Sequence, residues 1–144
     1  MEFGDLKDHL GLQVHLTWRA MRKRLLAGVR RSGERVSRGT YSIPILIGLN
    51  PGVSPLELAN ALNLDASKIA FFLRDLEKDR LIARRRSKAD KRVVELYLTD
   101  EGKKFAQAAW AKSHELEGPF TAALSEEDRE KLIELLTKLR DNLS

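Results

Sequence analysis

The chain has 144 residues, 42% of them hydrophobic and 33% charged, which is the balance of one soluble domain or of one subunit in an intertwined dimer. It contains no cysteine, which excludes disulfides and thiolate chemistry, and no apolar run of the roughly 20 residues that a membrane-spanning helix needs. The net charge of +5 favours a polyanionic partner, and the lack of a signal-peptide pattern leads us to expect a cytoplasmic protein.

The first predicted element is a long helix over about Asp5–Arg31, ended by Ser32-Gly33. Its apolar residues recur at spacings of four and three, which places them on one stripe. They are Leu6, Leu10, Val14, Trp18, Met21, Leu25 and Val29. A small globule cannot bury so long a stripe alone, so we expect Leu6 and Leu10 to take part in dimerisation.

The segment Tyr41–Leu49 is short and strongly apolar. Its β-branched residues permit a strand, but Pro44 near the start also fits the first turn of a helix. We favour a buried helix here. Asn50-Pro51-Gly52 then predicts a turn.

Two short helices joined by a tight turn follow. Ser54-Pro55-Leu56-Glu57 begins the first helix, with proline at the first helical position and a capping box between serine and glutamate. Asn63-Leu64 is the predicted turn, and Asp65 is predicted to cap the second helix. The second helix has an apolar face made of Ile69, Phe72, Leu73 and Leu76. These features predict a helix-turn-helix.

The periodicity changes after Asp79. Leu81–Arg86 has the pattern of a strand, and Val94, Leu96 and Leu98 alternate with polar or aromatic residues as in a half-buried strand. The polar segment Ser87–Lys91 is the predicted hairpin tip. Basic residues dominate this region, with Arg80, Arg84, Arg85, Arg86, Lys88, Lys91 and Arg92 against a single acidic residue, Asp90.

The last segment predicts two helices. Thr99-Asp100-Glu101 begins the first, and we expect Gly118-Pro119 to end it. Ser125-Glu126-Glu127-Asp128 caps the second, where acidic side chains suit the positive end of the helix dipole. Coiled-coil-like spacing along the last helix predicts a dimerisation seam of Leu132, Leu136, Leu139 and Leu143.

A set of short fragments occurs in a fixed order. They are Glu57-Leu58-Ala59, Leu73-Arg74-Asp75-Leu76-Glu77-Lys78-Asp79, Leu81-Ile82, Arg84-Arg85, Asp90-Lys91-Arg92 and Leu98-Thr99-Asp100-Glu101-Gly102. In this order they resemble the MarR family of winged helix-turn-helix transcriptional regulators. The resemblance implies a mainly α fold with a small β-hairpin wing, a DNA-binding domain at residues 38–100, and terminal dimerisation helices at 1–37 and 101–144 that interleave in a homodimer.

The resemblance also implies how the chain would contact double-stranded DNA. The helix Ala66–Asp79 would enter the major groove, and the wing would reach the minor groove, whose negative potential attracts Arg92. We expect Asp90 to orient Arg92 through a charge-assisted hydrogen bond. Arg84, Arg86, Lys88 and Lys91 are predicted phosphate contacts. The full set of predicted DNA-binding residues is Ser54, Ser67, Lys68, Phe71, Arg74, Lys78, Arg84, Arg86, Lys88, Asp90, Lys91 and Arg92.

The sequence departs from the family pattern at three positions. Ala70 and Phe71 stand where the family often has Thr and Arg, which removes two hydrogen-bonding groups but permits contacts to thymine methyl groups. Phe71 alternatively packs under the wing or against the neighbouring helix. Arg80 replaces a common glycine before Leu81-Ile82, which puts the turn geometry there in question.

The resemblance further implies a small-molecule effector, often an aromatic acid, bound between the dimerisation helices and the winged domain. The candidate ligand-binding residues are His15, Trp18, Arg19, Tyr41 and Ile45. Trp18 and Tyr41 would stack on a ring and Arg19 would pair with a carboxylate. The alternative for Trp18 is a role in the core or the dimer interface.

A second basic cluster surrounds the end of the first helix. It consists of Arg19, Arg22, Lys23, Arg24, Arg30, Arg31, Arg35 and Arg38. One hypothesis is that it holds a phosphate-rich effector such as an acyl-coenzyme A, or the phosphates of flanking DNA. The other is a solvated face whose cations suit a helix C-terminus.

The sequence therefore predicts a dimeric repressor that is released from a pseudo-palindromic operator by a small ligand. Two alternatives stay open: a winged-helix module for protein interaction, and a non-specific architectural DNA-binding protein without a ligand. We expect no enzyme activity, no cofactor and no metal, since there is no glycine-rich phosphate loop, no Ser-x-x-Lys motif and no metal-like pair among His9, His15 and His114.

Overall fold

The computed structural model describes residues 1–32 and 41–143, and the side chains of 1–24 and 41–143. Within this part the chain is mainly helical and carries one two-stranded antiparallel sheet, as predicted. After a 3-10 turn at Gly4–Asp8 the elements are α1 (Leu10–Ser32), α2 (Ser42–Leu49), α3 (Pro55–Ala61), α4 (Ala66–Lys78), β1 (Ile82–Arg86), β2 (Val94–Leu98), α5 (Asp100–Thr121) and α6 (Glu126–Asp141). None of the described helices is long and apolar enough to cross a membrane.

The chain divides into two compact units. One comprises residues 1–34 and 114–144, and the other comprises residues 35–113. The predicted domain boundaries fell after residues 37 and 100, whereas α5 continues without a break from Asp100 to Thr121. The first half of α5 therefore lies in the same unit as the helix-turn-helix and the hairpin.

The central unit has one buried core, formed where α2, α3, α4 and the hairpin meet. Its buried side chains are Ile43, Ile47, Leu58, Ala59, Ile69, Leu73, Leu76, Ile82 and Leu96. The predicted buried helix at Tyr41–Leu49 is confirmed, since Pro44 lies in the first turn of α2 and Ile43 and Ile47 are fully buried. Helix α2 thus contributes two fully buried side chains to the core that it shares with the helix-turn-helix and the hairpin.

The two helices of the helix-turn-helix end in the same way. At the end of α3, Leu64 N–H donates to Ala59 O and Asn63 N–H donates to Asn60 O. At the end of α4, Leu81 N–H donates to Leu76 O and Arg80 N–H donates to Glu77 O. These are Schellman motifs, which need a left-handed residue, and Asn63 (φ 48°) and Arg80 (φ 57°) supply it.

The hairpin pairs Ile82 with Leu98 at its base and Arg86 with Val94 at the start of a loop over residues 87–93, which we call the wing loop. Strand β1 begins one residue later than predicted, because Leu81 N–H is used by the Schellman motif. A further segment lies beside β2: Leu96 O accepts from Gly52 N–H and Leu96 N–H donates to Val53 O, both at 2.9 Å. This pairing of residues 52–53 with β2 was not predicted.

The start of α5 is joined closely to the start of the hairpin. Thr99 N–H donates to Leu81 O at 3.0 Å, and the Thr99 hydroxyl lies 2.7 Å from Arg80 O. The same hydroxyl accepts from Gly102 N–H at 3.0 Å and so caps α5. A Cβ atom on Gly102 would lie 1.9 Å from Leu81 O, so only glycine fits there. These contacts give the Leu98–Gly102 fragment a structural role.

Two predicted helix boundaries are wrong. The N-terminal helix does not begin at Asp5: a 3-10 turn with Gly4 at φ 53° comes first, and the extended backbone of His9 separates it from α1. Helix α5 does not end at Gly118-Pro119 but continues through Pro119 to Thr121. The Thr121 hydroxyl lies 3.3 Å from Gly118 O, which satisfies a carbonyl at this helix end.

The terminal unit exposes the leucines that were predicted to form a dimer. Leu139 is half-buried, and within one chain α6 contains no buried residue. The other leucines of this set, Leu6, Leu10, Leu132, Leu136 and Leu143, are exposed. Ser125 caps α6 as predicted, accepting from Asp128 N–H at 3.1 Å. The leucines of α6 therefore form an apolar face that the described part of the same chain does not bury.

Candidate nucleic-acid interface

Helix α4 has two opposite faces. Ile69, Leu73 and Leu76 are buried in the core, as the spacing predicted. On the other side Ser67, Phe71, Arg74 and Lys78 follow one another at intervals of four and three residues, and all four side chains are exposed. We call this set the outer stripe of α4. A helix held by one face and exposing polar and cationic groups on the other has the form that major-groove recognition requires.

Phe71 is the apolar member of the outer stripe. It is 51% exposed, so packing under the wing or against the neighbouring helix, the alternative interpretation, would cover only about half of this residue. Its ring meets the neighbouring ring of Phe72 edge to face, with centroids 5.8 Å apart and planes at 71°. About half of the surface of Phe71 is therefore exposed on the outer side of α4.

The start of α4 differs from the prediction. Asp65 occupies the N-cap position, but its side chain accepts no hydrogen bond from the helix backbone. Its carboxylate instead lies 3.0 Å from the Lys68 ammonium, and both side chains are largely exposed. An exposed ion pair of this kind contributes little free energy, so a phosphate can compete for Lys68.

The start of α3 is built as predicted. The Ser54 hydroxyl accepts from Glu57 N–H at 3.2 Å, and Ser54 N–H donates to a Glu57 carboxylate oxygen at 2.7 Å. Hydrogen bonds to the Glu57 carboxylate from the Ser54 backbone amide, the larger cause, and from the Ser54 side chain hold the pKa of Glu57 below its ordinary value.

The wing loop is held by hydrogen bonds among its own residues. The Asp90 carboxylate accepts from Arg92 N–H, and Asp90 O accepts from Val93 N–H, both at 2.9 Å. The predicted bond from Asp90 to the Arg92 guanidinium is therefore wrong: Asp90 orients Arg92 through its main chain. On the other side Arg86 donates to Lys91 O at 2.8 Å. The Lys88, Lys91 and Arg92 side chains are exposed around this turn.

Arg84 lies apart from the other basic residues of the hairpin. Its guanidinium makes two hydrogen bonds to the Glu77 carboxylate of α4, one of them at 3.1 Å. This charge is compensated within the protein, and the phosphate contact of Arg84 stays an untested prediction. The pair fastens the hairpin to α4, and bidentate geometry makes such a contact directional.

The opposite face of the hairpin carries a second polar group that was not predicted. The Arg85 guanidinium lies 4.7 Å from the centroid of the Tyr97 ring, and the Tyr97 hydroxyl donates to Glu95 at 2.8 Å. Hydrogen bonds from Ser87 and then Tyr97 lower the pKa of Glu95, and the bond to Glu95 raises the pKa of Tyr97. Side chains alternate between the two faces of a strand, and this alternation places Arg85, Glu95 and Tyr97 on one face of the hairpin. The group could therefore have been predicted from the sequence.

The predicted ligand-binding residues fall into both units. His15, Trp18 and Arg19 lie exposed on α1, and Trp18 is 54% exposed, so it is not a core residue within one chain. Tyr41 and Ile45 lie at the start of α2 and are half-buried. In the basic cluster, Arg19, Arg22, Lys23 and Arg24 lie on α1, whereas Arg30 and Arg31 have no described side chain and Arg35 and Arg38 lie outside the described residues. Among the described residues no group of histidine and acidic side chains is arranged to hold a metal ion.

A helix-turn-helix with an exposed cationic stripe, followed by a hairpin with a cationic loop, defines a winged helix-turn-helix regulator. Residues 45–109 match the family described as "Transcriptional regulator SarA/Rot". The HTH-type transcriptional regulator BilQ of Clostridium symbiosum is 38% identical over 106 residues, which is 74% of each chain. The chain therefore belongs to the MarR/SarA family of DNA-binding transcriptional regulators, and it is not an enzyme.

Solved structures have the same fold. The PcaV regulator of Streptomyces coelicolor, in complex with its natural ligand, aligns over 100% of both chains with a TM-score of 0.80 and 23% identity. The transcriptional repressor CouR, bound to a 23-mer DNA duplex, aligns over 97% of this chain and 98% of its own with a TM-score of 0.78 and 24% identity.

Proposed function

We propose that this protein is a homodimeric repressor that binds a pseudo-palindromic operator and is released from it by a small ligand. The observation that supports the proposal is the placement of positive charge. Lys68, Arg74 and Lys78 lie on the outer side of α4, and Lys88 and Arg92 are exposed at the wing loop. The helix would read the major groove while the wing loop follows the phosphates into the minor groove.

Dimerisation is proposed from the terminal unit. Leu132 and Leu136 are exposed on α6, as are Leu6 and Leu10 near the N-terminus. Burying such leucines yields about 1.5–3 kcal/mol each, so a second copy of the chain is the natural covering layer. A dimer carries two α4 helices, and it therefore reads two half-sites separated by about one helical turn.

The effector is the finer part of the proposal. PcaV is solved with its natural ligand, and that precedent supports a ligand-responsive mechanism here. We propose an aromatic acid, or its coenzyme A thioester, because Trp18 and Tyr41 offer rings and Arg19 offers a guanidinium to a carboxylate. Both kinds of ligand combine an apolar or aromatic body with an anionic group.

The test begins with selection of bound fragments from genomic DNA, followed by mobility-shift titration with the enriched sequence. Arg92→Ala is expected to weaken binding about tenfold, the effect of removing one charged contact worth about 1.4 kcal/mol. Lys131→Ala on α6, whose ammonium pairs with Glu134, should leave binding unchanged. Salt-sensitive binding without sequence preference would indicate an architectural protein. If the protein keeps its regulatory activity after the positive charges of the wing loop are neutralised, that result would indicate a protein-interaction module.

The salt dependence separates phosphate contacts from internal ones. Lys88→Ala should reduce the slope of log Kobs against log salt by about 0.9 for each phosphate that the protein no longer neutralises. The double variant Glu77→Gln with Arg84→Gln removes an internal pair without changing net charge, and it should leave the slope unchanged. A reduced slope in the double variant would mean that Arg84 contacts DNA after all.

A further inference from the structure

The Phe71 side chain does not help to hold α4 in the core, so its exposure needs another explanation. Helix α4 is held by Ile69, Leu73 and Leu76, which are almost completely buried, and Phe71 lies on the opposite side with 51% of its surface exposed. Its neighbours on the outer stripe are polar or cationic, with Ser67 one turn before it and Arg74 one turn after it. A large apolar side chain in the middle of such a stripe indicates a contact with something outside the chain.

The Phe71 ring contacts the ring of Phe72. Phe72, which meets Phe71 edge to face, is itself partly buried and packs against the core. This contact favours one orientation of the Phe71 ring, which lowers the side-chain entropy lost when a partner binds. Ala70, next to Phe71 in the chain, is also exposed and adds a methyl group to the same part of the helix. Ala70 and Phe71 are thus two consecutive exposed residues without hydrogen-bonding side chains, and we call them the apolar patch.

The major groove offers one apolar feature to such a patch. Base edges there present hydrogen-bond donors and acceptors, and the C5 methyl group of thymine is the exception. The cations around the patch, Lys68 and Arg74, suit the phosphates that border the groove. We propose that Phe71, with Ala70, recognises a C5-methylated pyrimidine opposite the middle of α4. This inference rests on the proposed operator binding and adds what the helix reads.

Two bases carry this methyl group, namely thymine and 5-methylcytosine. The experiment starts from the enriched operator and replaces each thymine in turn by deoxyuridine, which removes only the methyl group. Wild-type affinity should fall about fourfold at one or two positions in each half-site, equivalent to about 0.8 kcal/mol for one buried methyl group. A second arm places cytosine or 5-methylcytosine at the same positions. Recovery of binding by methylation would show that the methyl group is read in either base.

The variants assign the effect to the residue. Phe71→Ala should bind the thymine and deoxyuridine operators equally, while Phe71→Leu should keep part of the discrimination. Lys68→Ala, the matched control on the same helix, should weaken binding to both operators by the same factor. Circular dichroism and the urea midpoint of each variant show whether the helix content and the stability of the protein are retained.

Two outcomes would overturn the inference, and they differ from failure of the proposed function. If wild-type protein binds a specific sequence but is indifferent to every methyl group, Phe71 does not read methyl groups. If Phe71→Ala keeps the full preference for thymine, another residue reads it. If no sequence is enriched at all, operator binding itself is refuted, and the inference falls with it.

Discussion

The substitution Gly102→Ala tests how closely α5 approaches the hairpin. A Cβ atom on Gly102 would lie 1.9 Å from Leu81 O, whereas real Cβ atoms essentially never come closer than 3.0 Å. The two backbones must therefore separate by about 1.1 Å, the difference between these two distances. That displacement acts on the bond from Thr99 N–H to Leu81 O, now 3.0 Å long, and on the Thr99 hydroxyl.

The expected cost follows from these contacts. Overpacking of this kind costs about 2 kcal/mol, and the weakened hydrogen bond adds about 1 kcal/mol. Alanine is a better helix former than glycine, which returns about 1 kcal/mol. The net reduction is about 2 kcal/mol of unfolding free energy, a large part of the stability of a typical domain.

The assay is urea unfolding at one fixed protein concentration, since a dimer unfolds in a concentration-dependent way. The midpoint should fall by about 1 M with an unchanged slope. Gly11→Ala in α1 is the control, because its Cβ meets nothing within 4 Å and should leave stability unchanged or raise it by about 0.5 kcal/mol. If Gly102→Ala is as stable as the wild type, the close approach to Leu81 is not a constraint.

Two further predictions concern single residues. Arg80→Gly should stabilise the protein by about 1 kcal/mol in the same assay, because Arg80 has φ 57° and a left-handed residue other than glycine is strained. Asp79→Gly is the control and should destabilise, so an equal effect of both changes would argue against the reasoning. The lowered pKa of Glu95 contributes stability that is present at neutral pH and disappears as pH falls below 4.5 through that pKa. By carboxyl-carbon NMR, Ser87→Ala should raise this pKa more than Tyr97→Phe, and the reverse order would contradict the assigned causes.

Much of the interface was predictable because its signals are local. The capping box at Ser54 involves residues three positions apart, and the buried face of α4 follows from helical spacing alone. The two ends of the helix-turn-helix also depend on short-range bonds. The nature of the left-handed residue at Arg80 was the uncertain point, and the structure shows that arginine takes the conformation that glycine would adopt more readily.

The errors have a common cause as well. Asp65 and Asp90 were given side-chain partners that suit their type, but the nearest available groups were the Lys68 ammonium and the Arg92 backbone amide. Pro119 was read as a stop, although a proline near the end of a helix removes only one backbone bond. Short-range rules predict the kind of hydrogen-bond partner that a side chain prefers. Which of several such partners it contacts depends on the local geometry.

Helical periodicity, caps and the run of basic residues around Asp90 are properties of neighbouring residues, so the class of protein could be predicted from the sequence. Which of these basic residues are compensated within the chain depends instead on contacts between separate elements. Arg84 lies seven residues from Glu77, on a different element, and is paired with it, and Leu96 is bonded to Gly52 and Val53 from a distant loop. Such contacts depend on how separate elements pack, and packing sums weak interactions over the whole core.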